Sequence, residues 1–520
     1  MDPGSIPGVA SKFKISVLQN GRKTMRARQG IGMTGSDDSA ALFDRAASCR
    51  KQGRPHAALR IIDLLLQRHP GMAELWGERG AILMDLGDHA GGLESFRHAI
   101  AANPQNATYH NLAGVCLQAM GRPDEALASY DRAIALDPML AEAHHNRGTI
   151  AGEKGQLEEA VANYDRAILA RPDFVQALSN KGHALLHLGH PELAIDPLDK
   201  AIALEPGLAL PRLTKALCHL TLGQYDKGWP LYEARTASPG AVTLPELARP
   251  VWRGAESLAG KTLLIHAEQG LGDAIQFCRY APLLAQRGAQ VILSVPAALV
   301  RLLDGLHPAV SVIPDTDPFP PSDFHTLLLS LPLALATDAH DIPAGAPYLR
   351  AQPERIARWA RAIGRDGYRI GIAWQGDPAS ASDPGRSIPL HHFAGLSNIP
   401  GVRLISLQKG PGVEQLHSFA AKIETLGQDF DSGPDAFADT AAAMQNLDLV
   451  ITCDTAIAHL AGALGRPVWV ALKHAPDWRW QLRRPDSPWY PTMRLFRQAR
   501  RGEWRSVFGE IEAVLVQDLN

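Results

Sequence analysis

The chain has 520 residues, 20% of them charged, and a net charge of −2. It is too long for a single core and has no global field that would favour nucleic acid or a membrane surface. Its five cysteines, Cys49, Cys116, Cys218, Cys278 and Cys453, are scattered without a CxxC pair. That argues against a disulfide framework and a zinc site and fits a reducing cytoplasm. No apolar run is long enough to cross a bilayer, and the N-terminal stretch lacks the apolar core of a signal peptide.

Residues 1–38, with Lys12, Lys14, Arg22, Lys23, Arg26 and Arg28, read as a disordered basic leader; Met25 and Met33 are later candidate starts. From 39 to 235 a 34-residue period takes over: Pro70, Pro104, Pro138, Pro172 and Pro206 keep that step, as do Gly87, Gly121, Gly155, Gly189 and Gly223. Small residues recur in register at Gly80, Gly114, Gly148, Gly182 and Ala216, and large ones at Phe96, Tyr130, Tyr164, Leu198 and Tyr232. This is the signature of tetratricopeptide repeats. Each repeat is expected to be two antiparallel helices. The small residue allows their close approach, Gly ends the first, Pro follows the second, and the stack presents a concave surface.

Residues 236–258, rich in Pro and Gly, read as a linker. Beyond them Thr262–His266 is a strand that ends in the glycine loop Glu268-Gln-Gly-Leu-Gly-Asp273, followed by a helical stretch to about Arg287 and a strand at Val291–Val295. Further strands are expected at Val310–Ile313 and His325–Ser330. A second set follows at Arg369–Trp374, Arg403–Leu407, Asp448–Thr452 and Pro467–Leu472. The sequence thus predicts two parallel α/β halves, 259–355 and 356–505, and a closing helix within 506–520. Ligands of such sheets bind beyond the carboxyl ends of the strands.

Three stretches, Glu268–Tyr280, Arg386-Ser-Ile-Pro-Leu390 and Asp454-Thr-Ala-Ile-Ala-His-Leu-Ala461, resemble glycosyltransferases of the bacterial heptosyltransferase type. The joined architecture looks like the bacterial tetratricopeptide-repeat glycosyltransferases, including those that modify flagellin. The resemblance implies a GT-B fold of two Rossmann-like halves, with the acceptor on the first and a nucleotide-sugar on the second. It also implies an inverting transfer with Asp273 as base, beside the glycines Gly270 and Gly272. Asp454, Thr455, Ala456 and His459 would contact the donor phosphate. The family usually has Asp-Thr-Gly where this chain has Asp-Thr-Ala456.

Each residue also has a plainer reading. Asp273, with Gln276 three residues on, is suited to a helix N-cap, and Asp454 to another. A helix N-terminus there would also attract phosphate. His459, one turn beyond Thr455, either reaches a phosphate or packs under the loop. Lys409 and Arg386 either neutralise a leaving phosphate or are solvated surface residues. The aromatic run Asp477-Trp-Arg-Trp480 to Trp489-Tyr490 reads as buried packing at a seam. The chemistry is expected to be metal-independent, with no cofactor besides the nucleotide-sugar co-substrate of unknown base.

At the sixth position of successive repeats stand Glu78, Leu112, Asn146, Asn180 and Thr214. Asn at this position grips an extended peptide in the protein O-linked N-acetylglucosamine transferases, so Asn146 and Asn180 imply a partial peptide grip. The sequence therefore points to a cytoplasmic glycosyltransferase that captures a protein acceptor, flagellin among the candidates, and modifies Ser or Thr. A non-catalytic adaptor with a degenerate α/β half and an enzyme acting on a glycan are the alternatives.

Overall fold

A computed structural model describes residues 38–238, 245, 247–343, 345–379, 385–419, 422–433 and 436–520. The leader expected over 1–38 lies outside these residues except for Asp38, and so do 239–244 and 246 of the expected linker. The chain divides into two compact units. One takes the described residues up to Leu185 together with Ala203–Pro206; the other takes Leu186–Ile202 and Gly207–Asn520.

The first unit is helical hairpins, beginning with Ser39–Lys51 and Pro55–Arg68 and continuing through Ala73–Asp85 with His89–Ala102, Ala107–Ala119 with Pro123–Leu136, and Ala141–Glu153 with Leu157–Ala170. The sequence period has a direct physical cause here. Gly53, Gly87, Gly121 and Gly155 all lie at φ between 70° and 80° after the first helix of a hairpin, a conformation that penalises any Cβ. A Cβ on Gly80, Gly114 or Gly148 would stand 2.8, 2.5 or 2.9 Å from the ring of Phe96, Tyr130 or Tyr164. The small residue and the ring sixteen positions on are therefore one packing unit. Two further periodic devices went unread in the sequence. Trp76, His110 and His144 each place a ring nitrogen within hydrogen-bond distance of the carbonyl of Pro70, Pro104 and Pro138, at 2.8, 3.1 and 2.9 Å. A cation on several first helices pairs with an Asp of the preceding hairpin: Arg79–Asp63 at 2.8 Å, Arg147–Asp131 at 2.8 Å and Lys181–Asp165 at 2.6 Å, whereas Ala113 stands at this position in Ala107–Ala119.

In the second unit a last hairpin, Ala209–Thr221 and Tyr225–Tyr232, precedes two all-parallel sheets. The first holds β1 (Thr262–His266), β2 (Gln290–Val295), β3 (Val310–Pro314) and β4 (Phe324–Leu327) in the order β3-β2-β1-β4. The second holds β5 (Tyr368–Ala373), β6 (Val402–Ser406), β7 (Ile423–Thr425), β8 (Leu449–Cys453), β9 (Val468–Leu472) and β10 (Met493–Arg497) in the order β10-β9-β8-β5-β6-β7. Both are doubly wound. Strand order reverses between β1 and β4 in the first sheet and between β5 and β8 in the second, which is where such sheets open a crevice. The central strands β8 and β9 are buried along their whole length, as parallel strands covered on both faces must be. β7 and β10 were not foreseen. The stretch 250–252 is not a free linker: Val251 bridges to His325 of β4, and Trp252 is buried with its indole N–H on the Glu256 carbonyl at 3.0 Å.

The clustered Trp residues fill a seam. Trp229, Trp478 and Trp489 pack with Tyr225 and Tyr232, and none of the five is more than 4% exposed. Two of their indoles are hydrogen-bonded, with Trp489 Nε1 donating to Tyr225 Oη at 3.1 Å and Trp229 Nε1 to the Thr337 carbonyl at 2.9 Å. The C-terminal helix spans Trp504–Leu519 and buries Val507, Phe508, Ile511 and Leu515.

Candidate functional site

The loops after β1 and β8, at the two switch points, meet in one partly buried charge cluster in which Arg479 is buried and Asp273 and Asp454 are partly exposed. After β1 the helix Leu271–Phe277 starts with Gly270 at its N-cap, so Asp273 is not the cap. It sits in the first turn and reaches back, Oδ2 accepting the Gly270 N–H at 2.8 Å. Its Oδ1 accepts from the guanidinium of Arg479. Arg479 also donates to Gln276 Oε1 at 2.6 Å and Asp477 Oδ1 at 2.8 Å, and lies over the Trp478 ring at 4.4 Å. Burial raises the Asp273 carboxyl above the ordinary carboxylate range, with Arg479 and the Gly270 N–H opposing. Burial works against the charge of Arg479, but Asp477 and Asp273 outweigh it and hold the guanidinium above its usual value.

After β8 the N-cap of the helix Ala456–Ala463 is Thr455, in extended conformation, so Asp454 is not the cap either. Burial lifts Asp454 from 3.8 to about 6; Asp477 adds to this, and Arg386 and Arg479 oppose it. The charge of Arg386 thus acts on Asp454. Lys473, the first residue after β9, is there too: burial lowers its ammonium, with the charges of Asp454 and Asp477 acting against that. Lys409 is committed elsewhere, its ammonium donating to the Phe430 carbonyl at 2.5 Å.

His459 takes the packing role. It is buried, stacks on Trp480 at 5.2 Å and places Nδ1 3.0 Å from Tyr490 Oη; burial and the nearby Arg479 push it well below the ordinary histidine range. Its ring also accounts for Gly272, where a Cβ would lie 2.8 Å from His459 Cδ2 and 3.5 Å from Ala456 Cα. Gly272 therefore serves the crossing of two helices. Gly270 is less constrained, a Cβ there standing 3.2 Å from Asp273 Oδ2.

Asn146 and Asn180 are corrected most clearly. Both are buried, at 0% and 5% exposed, within a hydrogen-bonded chain. Asn146 Nδ2 donates to Asn111 Oδ1 at 3.0 Å, His145 Nδ1 is 3.2 Å from Asn146 Oδ1, and Asn180 Nδ2 is 3.2 Å from His145 Nε2. The amides tie neighbouring repeats together.

Sequence reasoning missed Arg479, Asp477 and Lys473 as site residues. Lys473 carried a signal, since it stands directly after a strand as Asp454 does. Arg479 lay inside the aromatic run and was read with it as packing.

Residues 43–107, 78–141 and 145–209 match a family model described as tetratricopeptide repeat. The helical region is built of tetratricopeptide repeats. Protein FlbA of Caulobacter vibrioides (strain ATCC 19089 / CIP 103742 / CB 15) is 29% identical over 335 residues, 59% of this chain and 55% of that protein. The chain thus aligns with about half the length of that relative. The alignment is longer than the first 235 residues, so it reaches beyond the repeats into the α/β region. Among solved structures, PilW, a "widely conserved type IV pilus biogenesis factor", is 23% identical, with TM-score 0.36 over 39% of this chain and 94% of its own. TTC0263, a thermophilic TPR protein in Thermus thermophilus, is 20% identical, with TM-score 0.31 over 35% and 99%. No helix among the described residues is long and apolar enough to cross a membrane.

Proposed function

We propose that this protein is an inverting glycosyltransferase of GT-B type that moves a sugar from a nucleotide-sugar to a hydroxyl of a polypeptide captured by the repeats, flagellin being the acceptor suggested by sequence resemblance. The observation that carries the reading is the convergence of both switch-point loops on one partly buried cluster in which Asp273 and Asp454 share Arg479 as a neighbour. In the reaction the acceptor oxygen attacks the anomeric carbon, the bond to the leaving phosphate breaks, and the hydroxyl proton passes to Asp273. Arg386 and Lys473 supply positive charge for the departing nucleotide, and no metal is required. The adaptor reading has one specific observation in its favour: both oxygens of Asp273 are already bonded, one to Gly270 and one to Arg479.

Intact-mass spectrometry of flagellin and other secreted polypeptides tests the choice, using cells with the wild-type protein, with Asp273→Asn and without the protein. A sugar-sized mass lost in both altered strains supports the transferase with Asp273 as base. A mass that survives Asp273→Asn removes the assignment of the base, and polypeptides whose mass never changes remove the protein-modifying reading.

A further inference from the structure

We propose that the last turn of the repeat region, through Arg235 and Tyr232, is the positioning element that fixes the Glu268–Asp273 loop and so presents Asp273; as a statement about sugar transfer this rests on the function proposed above. Arg235 follows the helix Tyr225–Tyr232 in the short turn Glu233–Ala237 and is buried. Its guanidinium grips Glu268 with two bonds, Nε to Oε2 at 3.0 Å and Nη2 to Oε1 at 2.7 Å, and reaches Ser330 Oγ at 2.9 Å. Glu268 Oε1 also accepts the Leu329 N–H at 3.1 Å, so this carboxylate ties the β1 loop to the β4 loop across the switch point.

The next residue, Gln269, has φ 63°, a left-handed backbone that a side-chain-bearing residue keeps only when its surroundings hold it. Tyr232 provides that hold, its hydroxyl accepting from Gln269 Nε2 at 3.1 Å. Then comes Gly270, whose N–H is bonded to Asp273. Three consecutive loop residues are thus pinned in turn by Arg235, by Tyr232 and by the proposed base itself. The apolar seam of Trp229, Trp478 and Trp489 already joins the last hairpin to the sheets. A buried ion pair adds little net stability beside such packing, and what it adds is a defined geometry. The repeat region's end is in this way part of the site's scaffold.

The test uses the full chain with Arg235→Lys, which keeps the charge but loses the two-pronged grip, and Tyr232→Phe, which keeps the ring in the seam. Hydrogen exchange of the 267–274 peptide is expected to rise about tenfold in each variant while exchange in β5, β8 and the earlier repeats stays unchanged. In sugar transfer, turnover is expected to fall about fivefold or more, with the donor KM within about twofold of wild type, the split that a positioning role predicts. Unchanged exchange in both variants overturns the proposal, and so does unchanged turnover in a variant whose loop has loosened. If the wild-type protein transfers no sugar to any polypeptide, the proposed function falls, and exchange alone decides whether the terminal turn holds the loop.

Discussion

Asp454 should weaken the α/β unit at neutral pH and stop doing so in acid. Burial, with Asp477 adding, lifts its carboxyl from 3.8 to about 6. Because the folded value lies above the unfolded one, the folded protein holds this proton more tightly. The contribution to stability is fully present below the unfolded value and is lost as pH rises through about 6. At roughly 1.4 kcal/mol per pH unit, the penalty at neutral pH is about 3 kcal/mol. Asp454→Asn removes the charge and keeps the shape, so it should raise the melting temperature of this unit by about 4 °C near pH 7.5 and leave it nearly unchanged near pH 4. Thermal melting of the full chain across that range, followed by near-ultraviolet circular dichroism, reads this directly. No rise near pH 7.5, or an equal rise at both pH values, would refute the argument that a desolvated charge is the cause.

Gly114→Ala places a Cβ 2.5 Å from the Tyr130 ring. The clash should cost about 1–3 kcal/mol against roughly 1 kcal/mol gained in helix propensity, and a higher unfolding midpoint for the variant would contradict the paired small-and-ring packing. Gly272→Ala meets His459 at 2.8 Å, so the variant should melt lower by an amount that shrinks in a His459→Ala background; equal losses in both backgrounds would show that the two residues do not couple. Asn146→Ala removes the bonds to Asn111 Oδ1 and His145 Nδ1 inside the repeats and should cost about 1–3 kcal/mol in urea unfolding of that region. A variant of full stability that loses affinity for a polypeptide would restore the peptide-gripping role. Burial lowers His145 from 6.5 to about 4, so its contribution is present above the unfolded value and is lost as pH falls toward about 4. Exchange in the 141–153 helix should therefore rise over that interval, and a flat profile would count against a neutral buried ring.

Much of the architecture was legible in the chain itself because its causes are local. A glycine that must adopt positive φ, as at Gly87 or Gly121, and a proline that cannot continue a helix mark each repeat wherever the fold places it. Apolar runs such as Val468–Leu472 announce strands buried on both faces. β7 and β10 escaped because Ile423–Thr425 has only three residues and Met493–Arg497 is interrupted by Arg494 and Arg497 beside the aromatic run.

The roles within the site were decided by tertiary structure. Asp273 and Arg479 are 206 residues apart, and nothing near either one reveals the other. Capping at the β8 loop passed from Asp454 to Thr455 because the chain enters that helix one residue later than the motif suggested. Asn146 and Asn180 have the residue type of a peptide grip, yet the neighbouring repeats supply Asn111 and His145 as partners and turn both amides inward. Sequence fixes a residue's chemistry, but whether a carboxylate or an amide is open to a ligand depends on which buried groups the fold places within hydrogen-bond reach, where an unpaired polar group is too costly to leave.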